Sequence, residues 1–245
     1  MIGRHGLAAL AAFVIAFFPA GAALAKKPAE IAITPASPDA VLILKAESLP
    51  VPPGHKTSYW VALHTYDPAE QKMTGGPFAG YATFAARPKD FVDGYLIISV
   101  KPGTYAFQDV VVQDWWAVCF NGGSLQFTVK PGEVVYLGEM DVRRHVREIE
   151  TLAVTTGRTT SRNSDPIHFF DNVTPPTFAP IDDAQMAAVT AMVKTRMPLT
   201  TVAPRAVQFA PARFGTGHDL FGMRRICGGY YQGKAKPAPA QPPAN

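Results

Sequence analysis

One phrase occurs twice in this chain and narrows what it can fold into. Val100-Lys101-Pro102-Gly103 leads into Thr104-Tyr105-Ala106-Phe107, and Val129-Lys130-Pro131-Gly132 leads into Glu133-Val134-Val135-Tyr136-Leu137. Proline presets φ at about −65°, and glycine supplies the positive φ that a type II turn needs at its third position. β-branched and aromatic residues crowd both sides of each turn. Each phrase therefore predicts strand, tight turn, strand. Pro102, Gly103, Pro131 and Gly132 are assigned as structural turn residues, and the two hairpins within residues 95–142 are expected to be the centre of the fold.

The flanking sequence extends the same pattern. Residues 40–47 (AVLILKAE) read as a buried strand. Residues 58–67 (SYWVALHTYD) alternate, with Trp60, Ala62, His64 and Tyr66 on one face and Tyr59, Val61, Leu63 and Thr65 on the other. Residues 81–86 and 148–155 read as further strands. Short strands at even spacing with turn residues between them predict a mainly β fold, an antiparallel β-sandwich. One C-terminal helix is expected to pack on it, over about residues 182–197. Asp182 is placed to cap that helix, Met186, Val189, Val193 and Met197 share one face, and Pro198 stops it.

The N-terminus reads as an export signal. Arg4 and His5 give a basic start, residues 7–18 are apolar, and Ala23-Leu24-Ala25 is a small-x-small site. Residues 1–25 are therefore expected to be a cleaved signal peptide, with no transmembrane span in the mature chain. Residues 26–157 would carry the sandwich and residues 158–233 a C-terminal extension with the helix. Residues 234–245 (KAKPAPAQPPAN) would be a disordered Pro/Ala tail. The expected location is periplasmic or secreted. Both cysteines, Cys119 and Cys227, lie in the exported part, and an even count in an oxidising compartment predicts a disulfide between them.

The phrase around the two turns resembles uncharacterised exported proteobacterial proteins with a transthyretin-like or carboxypeptidase-regulatory-like β-sandwich. The matching residues are Pro102, Gly103 and Tyr105, then Val129, Gly132, Val135, Tyr136 and Gly138. The resemblance covers about a fifth of the chain. It implies a sandwich and no catalytic residues.

Motifs for chemistry are sparse. The chain has no H-E-x-x-H, no clustered Cys/His set, no G-x-S-x-G, no S-x-x-K, no G-x-G-x-x-G and no P-loop. His55, His64, His145, His168 and His218 have no metal-ligand spacing. His64 and Asp67 would share a site only if the chain bends at Pro68. Arg143, Arg144 and Arg147, with Arg158 and Arg162 nearby, form a basic run at a strand end and are the candidate contact for an anionic partner. Trp115 and Trp116, adjacent on a strand, should face opposite ways, one into the core and one outward as a candidate aromatic contact. No cofactor, no catalytic residue and no metal ligand is assigned.

The formal net charge is +4, and removing residues 1–25 takes away Arg4 alone. So mild a charge favours an anionic envelope surface only weakly, and nucleic acid is not an expected partner of an exported chain. The sequence points first to a non-enzymatic periplasmic β-sandwich that binds a partner protein or envelope component. A hydrolase, metal-dependent or otherwise, using His64 and Asp67 is the second reading. A structural part of an envelope or surface assembly, acting through sheet edges, is the third.

Overall fold

The structure is a computed structural model that describes residues 27–74, 80–113, 115–159, 168–171, 173–218 and 225–229. The signal-peptide and tail readings, and Arg162, lie outside the described residues, as do the side chains of His168 and His218.

The chain is mainly β. It runs through β1 (Ala40–Ala46), β2 (Trp60–Asp67), β3 (Lys72–Met73) and β4 (Tyr81–Ala85). The stretch of the repeated phrase forms β5 (Tyr95–Val100), β6 (Gly103–Val112), β7 (Trp116–Cys119), β8 (Ser124–Val129) and β9 (Val134–Met140). Helix α1 (Val142–Thr155), β10 (His168–Phe170) and helix α2 (Asp183–Arg196) follow. Four short strands complete the described chain: β11 (Arg205–Ala206), β12 (Ala210–Ala212), β13 (Gly215–His218) and β14 (Arg225–Gly229).

Two sheets face each other across an apolar core. The first has the order β11-β9-β1-β5. The second runs β10-β7-β6-β2, with β3 and β4 also paired to β2, β8 to β6, and β12 to β8. Most ladders are antiparallel, while β1 with β9, β9 with β11, and β7 with β10 run parallel. Ala40, Leu42 and Leu44 of β1 meet Val61 and Leu63 of β2 and Phe107 and Val110 of β6 in one buried cluster. Phe107, Phe127, Phe178 and Phe209 stack there in tilted and edge-to-face pairs, with ring centroids 4.8 to 6.0 Å apart.

The outer face of the first sheet is also covered. Val41 and Ile43 of β1 pack with Val189, Met192, Val193 and Met197 of α2 and with Ile31 and Ile33 of the N-terminal segment. Asp182 caps α2 as its sequence predicts, its Oδ1 accepting from the Gln185 amide at 2.8 Å. Pro28–Glu30 forms one 3-10 turn, and Ile31 and Ile33 plug the sheet.

Two local expectations are corrected. Residues 148–155 are not a strand but most of α1. Asp141 caps it, with Oδ1 accepting from the Arg144 amide at 3.1 Å. Val142, His145, Ile149 and Ala153 fall on its buried side at helical spacing. The basic run Arg143 to Arg147 thus lies on the first turns of a helix rather than at a strand end.

Second, neither Lys-Pro-Gly phrase is a hairpin. β5 pairs with β1 in the first sheet, whereas β6 lies in the second. β8 pairs with β6, whereas β9 returns to β1. Both phrases carry the chain across the core from one sheet to the other, so that consecutive strands present apolar faces to each other instead of sharing backbone hydrogen bonds. Gly103, at φ 158°, is extended and simply starts β6. Gly132, at φ 70°, is the one that uses its freedom. Its amide donates to the Asp39 carbonyl at 2.9 Å, and a Cβ placed on it would lie 2.6 Å from the Thr34 carbonyl oxygen.

Gly132→Ala should therefore destabilise the protein by at least about 1 kcal/mol more than Gly54→Ala. Gly54 has a similar φ of 82° but open space around it. Urea unfolding of the two variants separates collision from backbone strain; equal losses would show that the contact with Thr34 and Pro35 is immaterial.

Candidate functional site

The site begins with an irregularity in β6. Leu63 pairs with Phe107, and the next residue of β2, Ala62, pairs with Asp109, so Gln108 is an extra residue, a β-bulge. Strict alternation from Phe107 would turn Asp109 into the core. The bulge turns it instead to the outer face of the second sheet, beside Ala62 and Thr83. The neighbouring row across that face is Ala85, Trp60, Val111, Ala117 and Phe169. Tyr81 and His64 form the row on the other side. Small side chains in the floor leave a hollow that larger ones surround.

The result is a cleft of about 750 Å³. Trp60, Tyr81 and Phe169 line it with aromatic surface; Ala62, Thr83, Ala85 and Val111 add small and apolar surface. His55, Lys56 and Thr57 come from the Pro-rich loop before β2, and Arg87 from the end of β4. Asp109 is the only carboxylate among the described lining residues.

Asp109 is 2% exposed, and its Oδ1 has no hydrogen-bond partner. Burial raises its carboxyl from 3.8 to about 7, because a charge removed from water without a partner favours its neutral form. Tyr81 keeps 49% of its surface exposed, yet its hydroxyl is pushed up as well, by local desolvation first and by the charge of Asp109 second. Arg87 is paired with Asp90. Lys56, exposed at the mouth, has no ion pair among the described residues. A near-neutral buried carboxyl in an aromatic-walled cleft makes this the candidate site.

The disulfide holds the flank of this site. Cys119 is the register partner of Asp109 on β7. Its bond to Cys227, expected from the sequence, is formed, and it ties the β13–β14 hairpin to the sheet. Gln108 adds to that tie, its Nε2 donating to the Cys227 carbonyl at 2.5 Å.

The residues singled out from sequence lie elsewhere. Arg143 forms a two-pronged pair with Glu47, with its Nε 2.7 Å from Oε2, and so is already occupied. The amide of Arg144 serves the helix cap, and Arg147 adds its charge to the surroundings of Glu47. Trp115 and Trp116 are both half-buried rather than one in and one out. Trp116 packs against the core and donates from Nε1 to the Arg158 carbonyl at 2.6 Å. His64 and Asp67 do not converge. His64 sets its ring edge-on to Tyr81 at 5.2 Å, while Asp67 Oδ1 accepts the amides of Ala69 and Glu70 in the turn beyond β2. Among the described residues no three His, Cys, Asp or Glu side chains are grouped to hold a metal ion, and no helix is long and apolar enough to cross a membrane.

Asp109, the residue at the centre of the cleft, was not visible to sequence reasoning. The available signal was a single carboxylate inside an apolar run, Ala106 to Val112, which a solvated strand position would not need to surround so closely. No family model, no curated protein and no solved structure matches this chain.

Ionising Asp109 opposes folding, so its stabilising contribution is present at acid pH and falls as pH rises from about 4 towards its folded value of about 7. His145, wholly buried against Phe120, works the other way. Burial lowers its pKa against the pull of Glu148, so its contribution is present above about 6.5 and is lost as pH falls through the lower folded value. Asp109→Asn removes only the first effect. At about pH 8 the variant should be more stable than the parent by up to about 4 kcal/mol, with little difference near pH 4. Denaturation profiles across that range check this; a variant destabilised at pH 8 would mean that the carboxylate has a partner when ionised.

Proposed function

We propose that this protein is a non-enzymatic, exported β-sandwich that binds a component of the cell envelope in the Asp109 cleft. The observation that carries this reading is a fully buried carboxyl with an unpartnered oxygen at the base of an aromatic-walled cleft. Such a group costs stability in the free protein. That cost makes sense where a ligand supplies the missing partner. The lining speaks against hydrolysis by paired carboxylates, which holds one either side of the scissile bond, since Asp109 is the lone carboxylate there among the described residues. The signal sequence read from residues 1–25 and the transthyretin-like resemblance support an envelope location, and the cleft is preferred to the basic run as the place to meet a partner because the Arg143 side chain is engaged by Glu47.

The test is thermal unfolding of the purified protein in low-molecular-mass fractions of a bacterial envelope extract. One fraction should raise Tm, since a ligand at about a hundred times its Kd adds about 2.7 kcal/mol. The shift should vanish in Thr83→Trp and in Ala85→Tyr, two cleft-filling changes on the edge strand β4. Absence of any shift, or an equal shift in both filled variants, would overturn the reading, and release of a modified fraction component would replace it with an enzymatic one.

A further inference from the structure

The charge layout of the cleft says more about the ligand than its shape does. The negative group lies deep and the positive groups lie at one end. Asp109 pairs with Ala62, which pairs in turn with Thr83, one row further along the sheet than Trp60 and Ala85. Two residues of strand span about 7 Å. Lys56 lies just before Trp60 and Arg87 just after Ala85, so both cations flank the same end of the cleft. Lys56 is exposed there, and Arg87 keeps part of its surface in solvent although Asp90 holds its Nε.

We propose that the cleft takes a small zwitterion, with its ammonium group set against Asp109 among Trp60, Tyr81 and Phe169 and its phosphate or carboxylate met by Lys56 and Arg87. This rests on the cleft being a binding site, and it names the ligand class. An ammonium group supplies the donors that the orphaned Asp109 oxygen lacks, and aromatic faces attract the same cation. A simple anion would satisfy Lys56 but meet the buried carboxylate. A simple cation would pair with Asp109 but be opposed at the mouth. A neutral sugar would stack on the aromatic groups and leave both charged ends unmatched. A molecule carrying both charges several ångströms apart matches every charged group that lines the cleft. Two sources carry that chemistry: an ethanolamine phosphate headgroup and a short peptide with free termini.

Calorimetric titration of the intact protein at about pH 8 distinguishes these. The probes are O-phosphoethanolamine, glycylglycine, ethylamine, inorganic phosphate and N-acetylglucosamine. At least one of the first two should bind at least about tenfold more tightly than ethylamine or phosphate, as a charge-assisted hydrogen bond predicts. Which of the two binds tells a headgroup from a peptide. Asp109→Asn should weaken that zwitterion at least about tenfold, and Lys56→Gln should weaken it while binding ethylamine at least as well as the parent does. If N-acetylglucosamine binds and neither zwitterion does, the cleft remains a binding site and the zwitterion assignment is overturned. The assignment also falls if Asp109→Asn binds the zwitterion as well as the parent does. If none of the five probes binds while an envelope fraction still raises Tm, the ligand class is wrong but the site is not; if nothing binds and no fraction shifts Tm, both fall.

Discussion

Everything in this fold depends on β1 being buried on both faces. Its sequence, AVLILKA, has no polar residue until Lys45, so neither face can be left to water. One face is closed by the second sheet, through Leu42 and Leu44. The other must be closed by something else, and α2 with Ile31 and Ile33 does so over Val41 and Ile43. Even Lys45 is accommodated, its Nζ donating to Glu139 of β9 at 2.7 Å. The first sheet is thus committed to structure on both sides, and only the second sheet has an outer face free to carry a cleft.

That division explains what could be read from sequence. Strands with a clean apolar period were legible: β1, β2 and the strands of the repeated phrase. So was α2, because a capping aspartate, an apolar stripe and a terminating proline agree with one another over its length. The cysteine pair was legible from its even count and the expected export of the chain. Helix α1 was not. Residues 148–155 alone have enough β-branched and apolar character to pass for a strand, and the deciding information, Asp141 as a cap and His145 on the buried side, lies before the segment that was read. Turn residues announced that the chain bends after Val100 and after Val129. They could not announce whether the next strand would lie beside its predecessor or across the core from it, since that depends on partners far away in sequence.

The cleft was the least legible part, for a related reason. Its central residue owes its orientation to one inserted residue, Gln108, and a bulge is invisible to any argument from period two. Read with strict alternation, Asp109 belongs to the core, where a lone carboxylate would make no sense. Its surroundings come from four strands and a loop, Gly54 to Thr57, that composition identifies merely as a connection. Of the basic run that composition did bring forward, Arg143 is engaged by Glu47. Charge in a sequence marks surface; a charge that the fold has withdrawn from water and left without a partner marks something narrower.

The two sheet-crossing turns have a consequence for how the protein folds. From β5 onward the chain passes from the first sheet to the second, back at β9, over again at β10, back at β11 and over once more at β12. Neither sheet is assembled from one continuous stretch. β6, at the centre of the second, finds its partner β2 across some forty intervening residues, and β1 finds β9 across still more. Each of the two facing sheets spans a stretch of chain that also carries strands of the other, so no half of the sandwich can form first and wait for the other. Assembly should be slow and all-or-none, with order arriving in both layers together.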